Sequence, residues 1–592
     1  MKRAVIAILA ALGGLVILGF LFIIAMSWAV LSPTPLPSQV VLELDLDRGL
    51  VETMPDDPLL MALERRRLET RKLVEGLERA GQDDRVVGLL VRGGAGLGGW
   101  ATVEEVRDAV TRFRESGKPA VHFGETYGEF GPGQGSYYLA SAFDEVILQP
   151  SGDVGLMPLT LEAPFLAGML DRLDVEPRFD TRWEYKDGTD LLTREGFSEP
   201  SREANEALLE SILDAMVEGV AQGRGLGPDS VRALIRQGPF MAFEAEEAGL
   251  VDALGYLDDA RVRVLEAADT EAERLAMDRY LERDGLVWDR GPRVALIYGV
   301  GMIQRGESGY DPFTGGTSFG ATTVAGHIRS AVDDDRVQAI LFRVDSPGGS
   351  YVASDVVRRE LARARDEGKP VVVSMGNVAA SGGYLVSVDA DRIVAQPTTL
   401  TGSIGVMAGR LVTEELWERF GIRWDRIESG GESTLYSVVE DFSEEEWERF
   451  QAFLDRVYDE FTGFVAEGRS MGPDEVHEVA RGRVWTGRDA YERGLVDDLG
   501  GFATAVAVVR EVLELEEDVP IHLARHPPER TFFQLLMEDG WRVSVASLAG
   551  GHGPEGELLR AVRPLIRRAA ASGLLGELPG PVRMPPMEVP AP

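Results

Sequence analysis

The sequence predicts an α/β protein made of two tandem copies of one domain, and three observations support this fold class. With 592 residues the chain is too long for one ordinary hydrophobic core, so its length favours several domains. Three segments recur 251, 251 and 245 residues later: 83–92 at 334–343, 117–121 at 368–372, and 249–255 at 494–500. Within each copy, β-branched runs alternate with helical patterns, which predicts parallel strands joined by right-handed crossovers.

The elements are clearest in the second copy. Its predicted strands are residues 337–344, 371–374 and 393–395. Its predicted helices are 352–366, 382–388 and 443–468, and the last is matched in the first copy by 201–223. The loops after the first two strands then lie at the carboxyl edge of a sheet, where catalytic residues gather in open α/β folds. The predicted domains are 40–289 and 290–520, followed by a C-terminal extension at 521–592.

Residues 1–32 predict a short cytoplasmic tip and a transmembrane helix. Lys2 and Arg3 precede an apolar run from Ala4 to about Leu31, and the next charged residue is Glu43. A helix of about 20 apolar residues crosses the hydrocarbon layer of a bilayer. A cleaved signal peptide is the alternative, although its apolar region would be shorter. The basic residues should stay in the cytoplasm, which predicts a single-pass protein of the cytoplasmic membrane with its domains outside.

The amino-acid composition argues against several classes of function. The net charge of −37 argues against a nucleic-acid partner, because binding phosphates requires clustered Lys and Arg. The absence of cysteine excludes a thiol nucleophile and a disulfide framework. None of the six histidines stands in a zinc-binding pair, so we expect neither a metal nor a cofactor.

Two Gly-rich turns could carry chemistry. Residues 345–350 follow one predicted strand, and Ser381 stands before two glycines at the end of the next. Backbone N–H groups gather at such strand-to-helix turns, as an oxyanion hole requires. Either turn alone could be merely structural, but the pair favours a site. A serine nucleophile needs a base, and a lysine kept neutral by burial can replace histidine.

The repeat narrows the search for that lysine. Aligning residues 180–197 with 425–442 places Lys186 opposite Gly431, and Ser381 falls opposite Gly135. Each copy therefore holds a reactive group that the other lacks. A surface lysine in a charged loop is the alternative interpretation of Lys186 taken alone.

Three motifs at 343–350, 374–384 and 400–406 strongly resemble the signal peptide peptidase A family of the long, tandem-repeat type. The resemblance covers roughly residues 40–520 and implies a ClpP/crotonase-like fold with a Ser/Lys dyad that hydrolyses peptide bonds. By this resemblance Ser381 is the nucleophile, Lys186 the general base and Ser403 the residue that orients the base. The implied oxyanion donors are the N–H groups of Gly349 and Gly382, with Gly348 as an alternative to Gly349.

The resemblance also implies signal peptides and other short apolar peptides as substrates, and a homo-oligomer, expected to be a tetramer, on the cytoplasmic membrane. One departure from the family pattern is acidic: Asp187 and Asp190 follow Lys186 and would raise its pKa if they faced it. Two other functions stay open from the sequence, an acyl-thioester enzyme of crotonase type and a non-catalytic membrane scaffold.

Overall fold

The computed structural model of the protein describes residues 36–54, 67–129, 131–284, 287–311, 316–430, 433–516 and 519–528. The predicted anchor and most of the predicted C-terminal extension lie outside these residues, as does Gly431. Within the described ranges, no helix has both the length and the apolar character that crossing a membrane demands.

The first half is built on a fully parallel, six-stranded sheet with the strand order β11–β1–β4–β5–β6–β10. The strands of this half are β1 (Val40–Asp45), β2 (Leu50–Val51), β3 (Leu68–Glu69), β4 (Val86–Arg92), β5 (Ala120–Gly124), β6 (Glu145–Leu148), β7 (Asp153–Val154), β8 (Glu176–Arg182), β9 (Phe240–Met241), β10 (Ala253–Leu254) and β11 (Glu273–Ala276).

The second half is built on an eight-stranded sheet with the main order β23–β12–β16–β17–β19–β21, to which β18 and β22 are added beside β17. The strands of this half are β12 (Arg293–Val300), β13 (Met302–Gln304), β14 (Gly309–Asp311), β15 (Gly316–Gly320), β16 (Val337–Ser346), β17 (Val371–Ala380), β18 (Arg392–Ala395), β19 (Leu400–Gly402), β20 (Val406–Val412), β21 (Val484–Thr486), β22 (Asp498–Leu499) and β23 (His522–Arg525). The sheet thus continues beyond residue 520, since β23 pairs with β12.

Helices cover both sheets. They are α1 (Thr70–Gln82), α2 (Trp100–Glu115), α3 (Gln134–Ala140), α4 (Ala167–Arg172), α5 (Asp190–Thr193), α6 (Glu199–Arg224), α7 (Pro228–Gln237), α8 (Ala242–Glu247), α9 (Leu257–Ala267), α10 (Met277–Asp284), α11 (Ala321–Asp333), α12 (Tyr351–Asp366), α13 (Gly382–Leu385), α14 (Glu414–Arg419), α15 (Glu444–Gly468), α16 (Pro473–Val479), α17 (Gly487–Glu492) and α18 (Phe502–Val512). Their amphipathic spacing explains this placement: in α1 the residues Leu73, Val74, Leu77 and Ala80 are buried on one face.

The two halves share one topology, which confirms the predicted α/β class and tandem repeat. The order β23–β12–β16–β17–β18–β22 of the second sheet repeats β11–β1–β4–β5–β6–β10 of the first. Side-chain bonds repeat as well. Lys118 donates to the carbonyls of Ala80 and Asp83, and Lys369 donates to the carbonyls at the equivalent positions, 331 and 334, all four distances lying between 2.7 and 2.9 Å.

The structure corrects one alignment made from the sequence. Tyr137 and Tyr384 occupy equivalent places, because each hydroxyl donates to a backbone carbonyl, that of Leu250 or Leu495. This equivalence places Ser381 opposite Gln134, one residue before the predicted Gly135. The sequence alignment was wrong because both Gly-rich turns offer several glycines to match.

The second sheet differs from the first in one respect that matters for the site. Strand β17 is twice as long as its counterpart β5, and its two ends have different neighbours. Residues 372–374 pair with β18, whereas residues 378–380 pair with β19, so that Ala380 stands beside Gly402 in parallel register. The loops that follow β17 and β19 therefore lie side by side.

A two-stranded ribbon connects the halves. Strand β8 of the first half runs antiparallel to β20 of the second, and Arg182 at the end of β8 pairs with Val406 at the start of β20. The segment after β8 is thereby brought close to the segment before β20. This pairing crosses more than two hundred residues of sequence and is one structural link between the two copies.

A buried guanidinium also joins the halves. Arg343 on β16 is 1% exposed and donates to both carboxylate oxygens of Glu52 at 2.8 and 3.0 Å and to Glu105 on α2 at 2.8 Å. Its remaining hydrogen bonds go to Ser374 Oγ and the carbonyl of Met375, both on β17. One side chain therefore ties two strands of the second sheet to two segments of the first half.

Candidate active site

Ser381 and Ser403 lie on neighbouring turns at the carboxyl ends of β17 and β19. Ser381 caps α13 with the unusual backbone angles φ 54° and ψ −119°, and its N–H donates to the carbonyl of Gly402 at 2.8 Å. Ser403 also has a positive φ of 51°, and its N–H donates to the carbonyl of Arg483 at 2.8 Å. Such strained backbone at the ends of parallel strands is typical of functional sites.

Lys186 reaches this place from the first half. It follows β8, whose pairing with β20 brings the chain to the turn that holds Ser403. The residue is 8% exposed. Its Nζ lies 3.1 Å from Ser381 Oγ, 2.8 Å from Ser403 Oγ and 2.7 Å from the carbonyl oxygen of Ser403. The three side chains predicted from the sequence therefore meet within one chain.

Burial makes the ammonium of Lys186 an unusually strong acid, so that the neutral amine forms near neutral pH. Removal from water disfavours the charged ammonium and lowers its pKa to about 7, while the charge of Asp187 acts in the opposite direction. The Asp187 carboxylate accepts hydrogen bonds from Ser201 Oγ at 2.5 Å and from Asn205. Asp190 accepts from Ser198 at 2.8 Å. Both acidic neighbours are thus engaged with other groups, and burial decides the pKa of the lysine.

Backbone N–H groups stand next to Ser381. A β-carbon placed on Gly348 would lie 2.6 Å from the nitrogen of Gly382, and one placed on Gly382 would lie 3.2 Å from the nitrogen of Gly349, so the two turns touch. The N–H of Gly348 donates to Ser346 Oγ at 3.2 Å. The N–H groups of Gly349 and Gly382 donate to no acceptor within the described part of the chain. Of the predicted oxyanion donors, Gly349 and Gly382 are therefore free to bind a ligand oxygen.

Sequence reasoning missed the segment 481–483, which contacts both the Lys186 turn and the Ser403 turn through backbone bonds. Its only signal is a glycine between two arginines, which predicts nothing by itself. Among the described residues there is no cluster of three or more side chains suited to hold a metal ion.

Comparisons with known proteins match both halves of the chain. The family model described as Peptidase family S49 matches residues 112–271 and 363–516, one stretch in each half. Serine protease SPPA, chloroplastic, of Arabidopsis thaliana is 34% identical over 452 residues, which are 75% of this chain and 66% of that protein. Protease 4 of Salmonella typhi is 34% identical over 441 residues, 73% of this chain and 69% of that protein.

A shorter relative matches one part of the chain. Putative signal peptide peptidase SppA of Enterococcus faecium is 37% identical over 173 residues, 29% of this chain and 50% of that protein. Among solved structures, a ClpP1 mutant from Listeria monocytogenes covers 36% of this chain and 95% of its own, with 14% identity and a TM-score of 0.23. A TM-score this low leaves the ClpP/crotonase-like assignment a prediction.

Proposed function

Because the chain belongs to peptidase family S49 and is a serine endopeptidase, we propose that Ser381 is its nucleophile and Lys186 its general base. The observation that supports this dyad most strongly is the 3.1 Å contact between Nζ and Oγ in a buried position. Family membership also sets aside an acyl-thioester enzyme and a non-catalytic scaffold.

The hydrogen bonds around Nζ suit a neutral amine. A neutral lysine has two N–H bonds and one lone pair. Its two N–H bonds can be donated to the carbonyl and the hydroxyl of Ser403, at 2.7 and 2.8 Å. The lone pair then faces Ser381, whose hydroxyl donates its proton to Nζ as Oγ attacks the scissile carbonyl. In this arrangement Ser403 acts as a positioning residue, since it uses both donors and orients the lone pair.

The negative charge that develops on the carbonyl oxygen needs donors. We assign this role to the N–H groups of Gly349 and Gly382, which lie on the two touching turns beside Ser381. The protonated Lys186 then returns its proton to the leaving amine, and a water molecule hydrolyses the acyl-enzyme by the same steps. A metal ion is not needed in this sequence of steps.

Labelling tests the dyad directly. A peptidyl phosphonate that phosphonylates active serines should modify Ser381 of the full chain, and peptide mass mapping should find the adduct there. The label should disappear in Ser381→Ala and in Lys186→Met. Ser387→Ala should keep it, because Ser387 is a buried serine after α13 whose hydroxyl donates to the carbonyl of Gly383 and not to the dyad. Adduct formation on another serine at full stoichiometry would contradict the assignment.

We expect the pH dependence of kcat/KM to report the pKa of Lys186. Only the neutral amine accepts the proton of Ser381, so activity should rise about tenfold per pH unit below the pKa and level off above it. Since burial lowers this pKa to about 7, the inflection should fall near neutral pH. Initial rates on a soluble peptide measure it, and an inflection near the ordinary pKa of lysine would argue against a buried base.

Membrane attachment, substrates and assembly complete the proposal. The apolar run at residues 4–31 supports a single anchor with the catalytic domains on the outer face of the cytoplasmic membrane. The name of the Enterococcus faecium relative supports cleaved signal peptides as substrates. We further propose a homotetramer with a ClpP/crotonase-like subunit fold. Membrane fractionation, cleavage of a synthetic signal peptide and light scattering in detergent test these three points in turn.

A further inference from the structure

A short segment of the second half lies between the turn that carries Lys186 and the turn that carries Ser403. On one side the carbonyl of Arg481 accepts two hydrogen bonds, from the N–H groups of Trp183 and Tyr185, each at 3.2 Å. On the other side the N–H of Gly482 donates to Ile404 and the N–H of Ser403 donates to Arg483, each at 2.8 Å. We call residues 481–483 the base clamp, because they hydrogen-bond both to the turn that carries Lys186 and to the turn that carries Ser403, which binds Nζ.

Gly482 is the point of closest approach within the base clamp. Its φ is +85°, and a β-carbon placed on it would lie 2.5 Å from the backbone nitrogen and from Cβ of Lys186, and 2.7 Å from its Cα. These distances are below any normal contact between carbon atoms, and two of the three atoms belong to the backbone. A larger residue therefore requires the Lys186 turn and the base clamp to move apart.

The two arginine side chains of the base clamp contact Tyr185, the residue before Lys186. Arg481 pairs with Glu184 at 2.7 Å, and Arg483 pairs with Glu203 at 2.6 Å. The guanidinium carbons lie 5.2 and 4.9 Å from the ring centre of Tyr185, within the range of cation–π contacts. The Tyr185 hydroxyl donates to Glu203 at 3.1 Å. The Lys186 turn is thus fixed from both its backbone and its neighbouring side chain.

We propose that Gly482 is a second positioning residue of the general base, beside Ser403, and that its lack of a side chain allows Lys186 to reach Ser381. This proposal deepens the Ser/Lys dyad of the proposed function and rests on it. Gly482 touches no reacting atom and acts only through the backbone of Lys186. Movement of a catalytic group by about 1 Å costs about a hundredfold in rate, so the effect of losing this contact should be large.

An outward displacement of Lys186 would also change its pKa. The charged groups around it are Asp187 on its own turn and the two ion pairs of the base clamp, Arg481–Glu184 and Arg483–Glu203. A lysine moved outward regains water, which stabilises the ammonium form. Its pKa should then rise towards the ordinary value for lysine, and the pH at which the protease becomes active should rise with it.

The test is Gly482→Ala in the full chain. We expect kcat to fall about a hundredfold with KM nearly unchanged, and the inflection of the pH profile to move to more alkaline pH. The matched control is Gly368→Ala. Gly368 has a similar φ of +81°, but no described atom lies within 4 Å of a β-carbon built on it. The control carries the same backbone strain without the collision, so its kcat and pH profile should match the unsubstituted protein.

A second variant tests the proposal even if Gly482→Ala does not fold. Arg483→Gln removes the ion pair with Glu203 and leaves the backbone of the base clamp unchanged. We expect a severalfold loss in kcat and an alkaline shift of the same sign. If either variant folds, as judged by its melting temperature, and shows reduced activity with an unmoved pH profile, then the base clamp is merely structural and the proposal is wrong.

The scarcity of lysine permits a direct measurement. The chain has five lysines: Lys2, Lys72, Lys118, Lys186 and Lys369. Lysine labelled with carbon-13 at Cε would give few signals, and Lys186→Met would identify the one that titrates near neutral pH. Gly482→Ala should raise the pKa of that signal, and an unchanged pKa would overturn the proposal. Full activity of Lys186→Met would instead refute the dyad itself, so the two failures are distinguishable.

Discussion

Replacing Lys186 with methionine is expected to lower kcat/KM for peptide cleavage by about 10⁴-fold or more, because the nucleophile loses its proton acceptor. Ser381 Oγ has no other basic side chain within hydrogen-bond distance among the described residues. Methionine keeps much of the volume and the apolar stem of lysine, so the buried site should stay packed. Steady-state kinetics on a soluble peptide measure the effect.

The same substitution should not destabilise the protein. Burial lowers the pKa of Lys186 to about 7 in the folded chain, whereas the unfolded chain keeps the higher, ordinary pKa of lysine. At neutral pH the unfolded chain therefore binds this proton more tightly than the folded chain does. Proton binding therefore favours the unfolded state at neutral pH, and removing the amine removes this penalty. Methionine also leaves the carbonyl of Ser403 without its donor, which offsets part of this gain. We therefore expect the melting temperature of Lys186→Met at pH 7 to stay close to that of the unsubstituted protein.

Lys369→Met provides the control. Lys369 is also partly buried and donates to two backbone carbonyls, but it lies at the opposite end of the strands from the dyad. Its loss leaves those carbonyls without a partner, so stability should fall while kcat of the folded fraction stays unchanged. If Lys186→Met retained more than a hundredth of the activity, or if Lys369→Met abolished it, the assignment of the base would be wrong.

The largest expected loss of stability follows from Arg343→Met. This change leaves the carboxylates of Glu52 and Glu105 buried and without their cation, and breaking a buried ion pair on one side costs about 3–5 kcal/mol. Burial already raises the pKa of Glu105 and of nearby Asp345, the latter to about 6, which shows that ionised carboxylates are costly in this cluster even with Arg343 present. Thermal or urea unfolding measures the loss.

Two further variants show whether unpaired buried charge causes the loss of stability in Arg343→Met. Adding Glu52→Gln and Glu105→Gln to Arg343→Met removes the stranded carboxylates and should recover a good part of the lost stability. Arg336→Met removes an exposed guanidinium, 74% exposed, that pairs with Asp334, and it should change the unfolding curve little. Equal losses in Arg343→Met and the triple variant would show that packing rather than charge holds the halves together.

Part of this fold and of the candidate site can be predicted from the sequence alone. The strands and helices of the second half follow from local periodicity, and Ser381 and Ser403 stand in distinctive motifs. Lys186 could be chosen because the two copies were compared and because the family resemblance implies a lysine base. The base clamp and the Arg343 cluster could not be found in this way. Their ion pairs across the two halves join residues 238 to 297 positions apart, and each participant is an ordinary arginine or glutamate in its own segment.

The repeat itself explains the one alignment error. Ser381 and its counterpart Gln134 lie in turns whose glycines can be matched in more than one register. The hydrogen bonds of Tyr137 and Tyr384 to equivalent carbonyls fix the correspondence. Long-range geometry is therefore needed even where the pattern of residues is nearly the same.

The ribbon formed by β8 and β20 has a consequence for the time at which the protein becomes active during its own synthesis. Lys186 leaves the ribosome 195 residues before Ser381, and the base clamp emerges later still. A nascent chain therefore holds no complete dyad until nearly the whole second half has emerged and has docked on the first. With the proposed dyad divided between the two copies, proteolysis can begin only after the second half has folded onto the first.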